Sequence, residues 1–147
     1  MQITSRFTIA VQVFACISEF EEQFKITSDF LASSVNSNPV VIRRILQQLK
    51  AAGLVEVKRG SGGASIAKKP DEITLLDIFN AVECLDEGQL FHFHENPNAK
   101  CPVGRNIHNV LDNRLENIQA VMEEQLRSTT VADIVKDTTK YIEKESK

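Results

Sequence analysis

The sequence predicts a mainly α-helical protein with a small β-hairpin wing, arranged as a winged helix-turn-helix domain followed by a long C-terminal dimerisation helix. Three observations carry this prediction. Residues 27–52 contain two helical patterns separated by a tight turn, and the second pattern is polar on one side. Residues 54–67 read as two short strands around a basic, glycine-rich tip. Residues 106–126 hold an apolar stripe of helical period.

Two helices are predicted ahead of residue 38. The first runs from Ser5 to Ile17, and its stripe consists of Phe7, Ala10, Val11, Phe14 and Ile17. The second begins at Thr27 or Ser28 and includes Phe30, Leu31, Ala32 and Val35. A hydroxyl and a backbone N–H at a helix start can bind a phosphate, so Thr27 and Ser28 are predicted DNA contacts.

The third helix is the predicted recognition helix, from Asn38 to Ala52. Asn38 is a favourable N-cap, Pro39 suits the first helical position, and Gly53 ends the helix. The apolar stripe consists of Ile42, Ile45, Leu46 and Leu49. The polar positions off that stripe are Arg43, Arg44, Gln47, Gln48 and Lys50. Cationic and amide side chains of this kind bind phosphates and base edges.

The first turns of a recognition helix meet base edges in helix-turn-helix complexes. The predicted DNA contacts on this helix are therefore Asn38, Val40, Val41, Arg43, Arg44 and Gln47. A valine at the entering end can touch a thymine methyl group. The alternative for the two arginines is an ordinary solvated helix face.

A hairpin follows the recognition helix directly, with strands predicted at Leu54–Val57 and Ala64–Ala67. Its tip has the sequence KRGSGG, in which glycines allow positive φ and the two cations supply charge. Such a wing can reach phosphates or place an arginine in a minor groove. Lys58, Arg59 and Ser61 are therefore predicted DNA contacts, with Arg59 the candidate for the minor groove. The glycines lack the GxxxxGK[ST] spacing of a nucleotide-binding loop.

The second half begins with a capping pattern, Thr74 to Asp77, ahead of a helix of about three turns. Residues 88–105 show no persistent period and are rich in Gly, Pro and Asn, which predicts a long loop and a candidate sensor segment. A last helix is predicted from Val131 to Tyr141, followed by a frayed end.

The longest predicted helix, Asn106 to Leu126, would extend about 30 Å at 1.5 Å per residue. Its stripe consists of Ile107, Val110, Leu111, Leu115, Ile118, Val121, Met122 and Leu126. The helix either packs on its own core or pairs with its copy in a second subunit. We favour the pairing, because helix-turn-helix proteins usually bind two half-sites as symmetric dimers.

Composition limits the class of protein. The 147 residues, 42% hydrophobic and 25% charged, suit one soluble domain or a small domain with an extension. No apolar run approaches the roughly 20 residues of a membrane span, and the first ten residues lack a signal-peptide pattern. Three widely spaced cysteines fit a reducing compartment better than a disulfide framework. We therefore expect a cytoplasmic protein with no membrane partner.

The net charge of −3 conceals a division between the two halves of the chain. Residues 1–70 hold nine Lys and Arg against five Asp and Glu, a net charge of +4. Residues 71–147 hold eight Lys and Arg against fifteen Asp and Glu, a net charge of −7. A basic front and an acidic back would orient the molecule on a polyanion.

Nearly the whole chain resembles the IscR/NsrR/CymR family of bacterial winged-helix regulators. The resemblance rests on the opening SRFTIAVQVF, the wing RGSGGA, the stretch ITLLDIFNAVE and the loop CPVG before the long helix. It implies a homodimer, a pseudo-palindromic double-stranded operator and, usually, repression by promoter occlusion. The predicted division is a winged domain at 1–84, a loop at 85–105, and a dimerisation helix with a C-terminal helix at 106–147.

The chain departs from the family pattern in the loop before the long helix. Cluster-binding members carry three closely spaced cysteines there, and this loop has only Cys101. Cys84 lies seventeen residues upstream. We therefore predict no iron–sulfur cluster and no cofactor, as in the YwnA-like, cluster-free branch. Cys101 is a candidate redox sensor, because Lys100 and Arg105 would favour its thiolate.

Other functions fit the sequence less well than DNA binding does. His92, His94, His108 and Cys101 form only a weak ligand pattern, so no metal site is predicted. The sequence offers no nucleophile–base pair, cofactor fingerprint or paired catalytic carboxylates, which argues against an enzyme. The predicted function is a sequence-specific DNA-binding transcriptional regulator that acts as a repressor. One alternative is a redox- or metal-responsive regulator that acts through Cys101. The other is a regulator whose main task is binding a partner enzyme. The effector of the regulator would be a small molecule, a redox signal or a protein.

Overall fold

The computed structural model describes residues 4–59, 63–83 and 88–147. Six α-helices and one two-stranded antiparallel sheet lie in these ranges. The helices are α1 (Ser5–Phe20), α2 (Ser28–Val35), α3 (Pro39–Ala51), α4 (Leu75–Val82), α5 (Ile107–Arg127) and α6 (Val131–Glu145). The strands are β1 (Val55–Val57) and β2 (Ala64–Ile66), paired with Val55 opposite Ile66. This order confirms the predicted fold class, a mainly helical chain with a hairpin wing.

Helix starts follow the capping residues of the sequence. Thr27 accepts a hydrogen bond from the backbone N–H of Phe30 at 3.1 Å, and Asn38 accepts one from Val40 at 2.8 Å. Thr74 and Thr130 each begin a helix with a complete capping box, in which threonine and aspartate satisfy each other's backbone N–H groups. After α3, Gly53 adopts φ +76°, a left-handed conformation that glycine accepts without steric cost.

The core lies among α1, α2, α3, α4 and the hairpin. Its largest fully buried side chains are Val13, Phe14, Ile17, Leu31, Ile42, Ile45, Leu49, Val55, Ile73, Ile78, Phe79 and Val82. The four predicted stripe residues of α3 all belong to this core. We call α1 to α4 with the hairpin, residues 5–82, the winged unit. The helix-turn-helix within it is a rigid platform, since the rest of the unit packs on its apolar side.

Three helices differ in extent from prediction. α4 spans eight residues, about two turns instead of the predicted three. α1 continues past Ile17 to Phe20, whose ring makes edge-on contacts with Phe24 and Phe30 and so extends the apolar stripe by one turn. α6 continues past Tyr141 to Glu145, because the terminal Lys and Glu residues are good helix formers.

The C-terminal helices pack differently from each other. α6 packs on α1, and its start is tied to the start of α4: the Leu75 N–H donates to the Thr129 carbonyl at 2.9 Å, and the Val131 N–H donates to the Ile73 carbonyl at 2.8 Å. α5 contacts α4 but contributes no buried residue. The division at residues 84 and 105 stays a prediction. Within the described ranges, no helix combines the length and apolarity needed to cross a bilayer.

Candidate nucleic-acid interface

The recognition helix α3 has two distinct sides, as its sequence predicts. Ile42, Ile45, Leu46 and Leu49 are buried, whereas Arg43, Arg44, Gln47 and Lys50 are exposed. The polar side therefore faces away from the core of the winged unit. It presents three cations and an amide along about two turns of helix, the side-chain types that bind phosphates and base edges.

At the N-terminal end of α3, some predicted contacts are exposed to solvent and others pack on the core. Asn38 uses its side-chain carbonyl oxygen to cap the helix. Val40 is 56% exposed, which leaves its methyl groups accessible to a thymine methyl. Val41 is half-buried and packs against the core. Of the two predicted valines, Val40 is therefore the better placed for a base contact.

The predicted phosphate contacts at α2 also differ from each other. Thr27 is exposed, but its hydroxyl oxygen already accepts the N-capping hydrogen bond from Phe30. Ser28 is half-buried and faces the cleft between α3 and the wing. The helix start is thus directed toward the same cleft as the recognition helix.

This cleft, of about 300 Å³, brings together residues distant in the sequence. The predicted contacts that line it are Ser28, Arg43, Gln47, Lys58 and Arg59. Leu46 and Val57 supply apolar surface, and Lys50 adds a further cation. Lys50 was not among the predicted contacts, although its position seven residues after Arg43 places it on the same helix side. Arg44 does not line the cleft, and Ser61 lies outside the described residues.

The cations of this surface form no direct ion pair with a carboxylate in the described structure, although Asp29 lines an adjoining pocket with Arg43 and Lys58. Both ion pairs found within residues 4–59, 63–83 and 88–147 lie on α5, at His108–Asp112 and Arg127–Glu124. Arg43, Lys50, Lys58 and Arg59 therefore concentrate positive charge on one side of the molecule. Such a concentration attracts the phosphate backbone of a duplex.

The base of the wing is fastened to the turn that precedes α2. The Ala64 N–H donates to the Ile26 carbonyl at 2.8 Å. A Cβ atom at Gly63 would lie 2.6 Å from the Ile26 backbone nitrogen, so only glycine permits this close approach. The wing is thereby held at a defined position relative to α2 and α3.

The thiols are dispersed rather than grouped. Cys16 is buried in α1 with its sulfur 3.0 Å from the Ser34 hydroxyl, and Cys101 is half-exposed in the 88–105 loop. Cys84 lies outside the described residues. Among the residues that are described, no three His, Cys, Asp or Glu side chains are grouped to hold one metal ion.

Comparison with known proteins gives concordant matches. The Rrf2 family profile, described as an iron-dependent transcriptional regulator, matches residues 3–137. The HTH-type transcriptional regulator YwnA of Bacillus subtilis (strain 168) is 43% identical over 133 residues, covering 90% of this chain and 96% of YwnA. A crystal structure described as a DNA-binding protein is 37% identical, with a TM-score of 0.70, covering 88% of this chain and 98% of that one. IscR of T. potens, at 22% identity and a TM-score of 0.68 over 94% of this chain and 88% of its own, shares the fold.

Proposed function

We propose that this chain, which belongs to the Rrf2 family of transcriptional regulators, is a repressor. It binds a pseudo-palindromic DNA operator as a homodimer. The matching family profile and the relative YwnA are described as transcriptional regulators and not as enzymes. The observation that carries the proposal is the cationic cleft between α3 and the wing, where Ser28, Arg43 and Arg59 lie together. A repressor of this kind acts by occupying promoter DNA that the transcription machinery needs.

On the operator, α3 lies in the major groove and the wing lies against the flanking minor groove. Arg43 and Arg44 face the base edges, and Val40 meets a thymine methyl group. Lys58 and Arg59 bind the backbone or enter the minor groove beside the wing. Ser28, at the start of α2, donates to a phosphate at the mouth of the cleft.

The proposed homodimer forms through α5. Val110, Ile118 and Val121 are 58%, 54% and 70% exposed. At 3.6 residues per turn they lie within an arc of about 80° on one side of the helix. Arg114 lies between Val110 and Ile118 on this side, so the surface is apolar with one cation in it. Large apolar side chains left exposed along one side of a long helix are typical of an association surface. Pairing two such helices would bury it and present two recognition helices to successive half-sites.

The signal is proposed to reach the DNA-binding unit through the 88–105 loop, in the cytoplasm. Half-exposed Cys101 lies in this loop shortly before α5, which favours a thiol-redox signal as the first alternative mode of regulation. Comparing operator affinity before and after mild oxidant, in the wild type and in Cys101→Ser, tests that mode. An oxidant response that persists in Cys101→Ser, or no response in either protein, removes it.

The iron named in the family description does not fit the described donors as an iron–sulfur cluster. Such clusters are held by several thiolates, whereas Cys16 is buried in α1 and Cys101 lies on the loop. No step of the proposed function therefore passes through a cluster. Absence of a cluster stays a prediction, tested by the visible absorption spectrum after anaerobic purification.

DNA recognition is tested by titrating a palindromic duplex identified by genomic footprinting, with fluorescence anisotropy as the readout. A shuffled duplex of the same composition is the control. Each subunit presents several cations, so affinity should fall on the order of 10³-fold or more between about 50 and 200 mM salt. Equal affinity for the two duplexes, or a flat salt response, would contradict the proposal.

The dimer is tested by sedimentation velocity on the full chain. Val121→Glu places a charge in the proposed helix pair, so the expected mass falls from two chains to one. Tyr141→Glu is the control, because Tyr141 is 66% exposed on α6. A single-chain mass for the wild type, or an unchanged dimer in Val121→Glu, would exclude pairing through this side of α5.

A further inference from the structure

All three histidines of the chain line one cavity, of about 710 Å³, beside the start of α5. His92 and His94 come from the loop, and His108 comes from the first turn of α5. The loop is fastened to α5 by Gln119, which accepts from the Leu90 N–H and donates to the Gly88 carbonyl, both at 2.9 Å. The two loop histidines and His108, fourteen or more positions apart in the sequence, therefore line the same cavity.

His108 is oriented by a carboxylate on the next turn of the same helix. Its Nδ1 lies 3.0 and 3.1 Å from the two carboxylate oxygens of Asp112. With Nδ1–H donating to Asp112, the lone pair of the neutral ring lies on Nε2. Histidines that bind metals almost always have this second hydrogen bond, which fixes the tautomer and raises the basicity of the other nitrogen.

The ring of His94 lies close to this oriented imidazole. The two ring centroids are 5.7 Å apart and the ring planes differ by 31°. Phe93 contacts His108 edge-on, with centroids 6.2 Å apart, and so supports the ring from another side. Two imidazoles from different elements thus share one polar cavity, and one of them has the outer-shell partner of a metal ligand.

We propose that His94 and His108 bind one divalent transition-metal ion of the Zn²⁺, Ni²⁺ or Fe²⁺ class, with Asp112 as the positioning residue for His108. Neutral imidazoles suit these ions better than Mg²⁺ or Ca²⁺, which take oxygen ligands. No described group offers three ready ligands, so water completes the coordination. Bound at this place, the ion links the loop to the first turn of α5.

The test is calorimetric titration of the untagged, metal-free full chain with Ni²⁺, with Ca²⁺ as the ion control. We expect one Ni²⁺ per chain, no Ca²⁺ binding, and affinity at least about tenfold weaker in both His94→Ala and His108→Ala. Cys101→Ser is the matched loop control and should bind as the wild type does. Absence of Ni²⁺ binding, full affinity in either histidine variant, or loss of binding in Cys101→Ser would overturn the proposal.

The positioning role of Asp112 has its own readout. Asp112→Ala should weaken Ni²⁺ binding about 10- to 100-fold. Asp112→Asn should retain more affinity than Asp112→Ala, because its amide oxygen still accepts the Nδ1–H hydrogen bond. Equal affinity in the wild type and Asp112→Ala would remove this role. These titrations contain no DNA, so their outcome is independent of the proposed repressor function.

Discussion

The two amphipathic helices α3 and α5 have similar apolar patterns in sequence but different environments in the fold. On α3, the whole apolar stripe is buried by the winged unit of the same chain. On α5, no residue is buried, and the stripe divides into two sides. Leu115 lines a small pocket together with Phe91 and Phe93 of the loop, whereas Ile118 and Val121 remain exposed. An apolar stripe thus predicts that a helix needs a partner, but does not say whether that partner belongs to the same chain.

A matched pair of substitutions tests this contrast most strongly. Ile45 of α3 is fully buried and Ile118 of α5 is 54% exposed. Ile45→Ala should lower the free energy of unfolding by about 2–5 kcal/mol, since it leaves a cavity in the core. Ile118→Ala should cost much less in a dilute sample and should act mainly by weakening association. Urea denaturation at two protein concentrations separates these effects. If both variants lost the same free energy of unfolding at both concentrations, the contrast between the two helices would be wrong.

The polar sides of the same helices should differ in DNA binding. Arg43→Ala on α3 should weaken operator binding by about 1–3 kcal/mol, with a smaller loss on shuffled DNA, if Arg43 contacts base edges. Arg127→Ala is the matched control, because Arg127 lies at the end of α5 on the side away from Val110 and Ile118, and it should leave operator affinity unchanged. Anisotropy titrations of both variants provide the comparison. Equal losses by Arg43→Ala on both duplexes would make Arg43 a backbone contact. A comparable loss by Arg127→Ala would contradict the assignment of the interface to α3.

The start of α6 can be tested for its coupling to the winged unit. Thr130→Ala removes the hydroxyl that accepts from the Asp133 N–H at 3.2 Å, and should cost about 0.5–2 kcal/mol of stability. Because the Val131 N–H bonds to the Ile73 carbonyl, we expect amide protection to fall at the start of α4 as well. Hydrogen exchange measures both regions. A loss confined to α6 would show that this helix start is not coupled to the winged unit.

The smallest expected effect concerns pH. Hydrogen bonds from the backbone and side chain of Thr130 lower the pKa of Asp133 below its ordinary value of 3.8. The ionised carboxylate therefore stabilises the fold above that ordinary value, and the contribution is lost as pH falls through the lower folded-state pKa. Asp133→Asn should flatten the acid limb of stability below about pH 4 in urea denaturation. An unchanged acid limb would assign the pH dependence to other carboxylates.

The sequence by itself determined the local structure of this protein. Its capping residues Thr27, Asn38, Thr74 and Thr130 begin the helices at which they stand, because caps act through neighbouring backbone groups. The two-sided pattern of α3 was equally readable, since helical period converts directly into buried and exposed sides. The predicted ends of α1 and α6 fall short of the observed ends, because ring contacts extend α1 and helix propensity extends α6.

Only the tertiary structure decided which distant residues meet. The path of the chain brings Ser28 and Lys58 to one cleft with Lys50, and places His94 beside His108. It also divides the α5 stripe between a loop-covered side and an exposed side. Contacts of this kind depend on how elements pack over long sequence separations, and a local period contains no information about that packing.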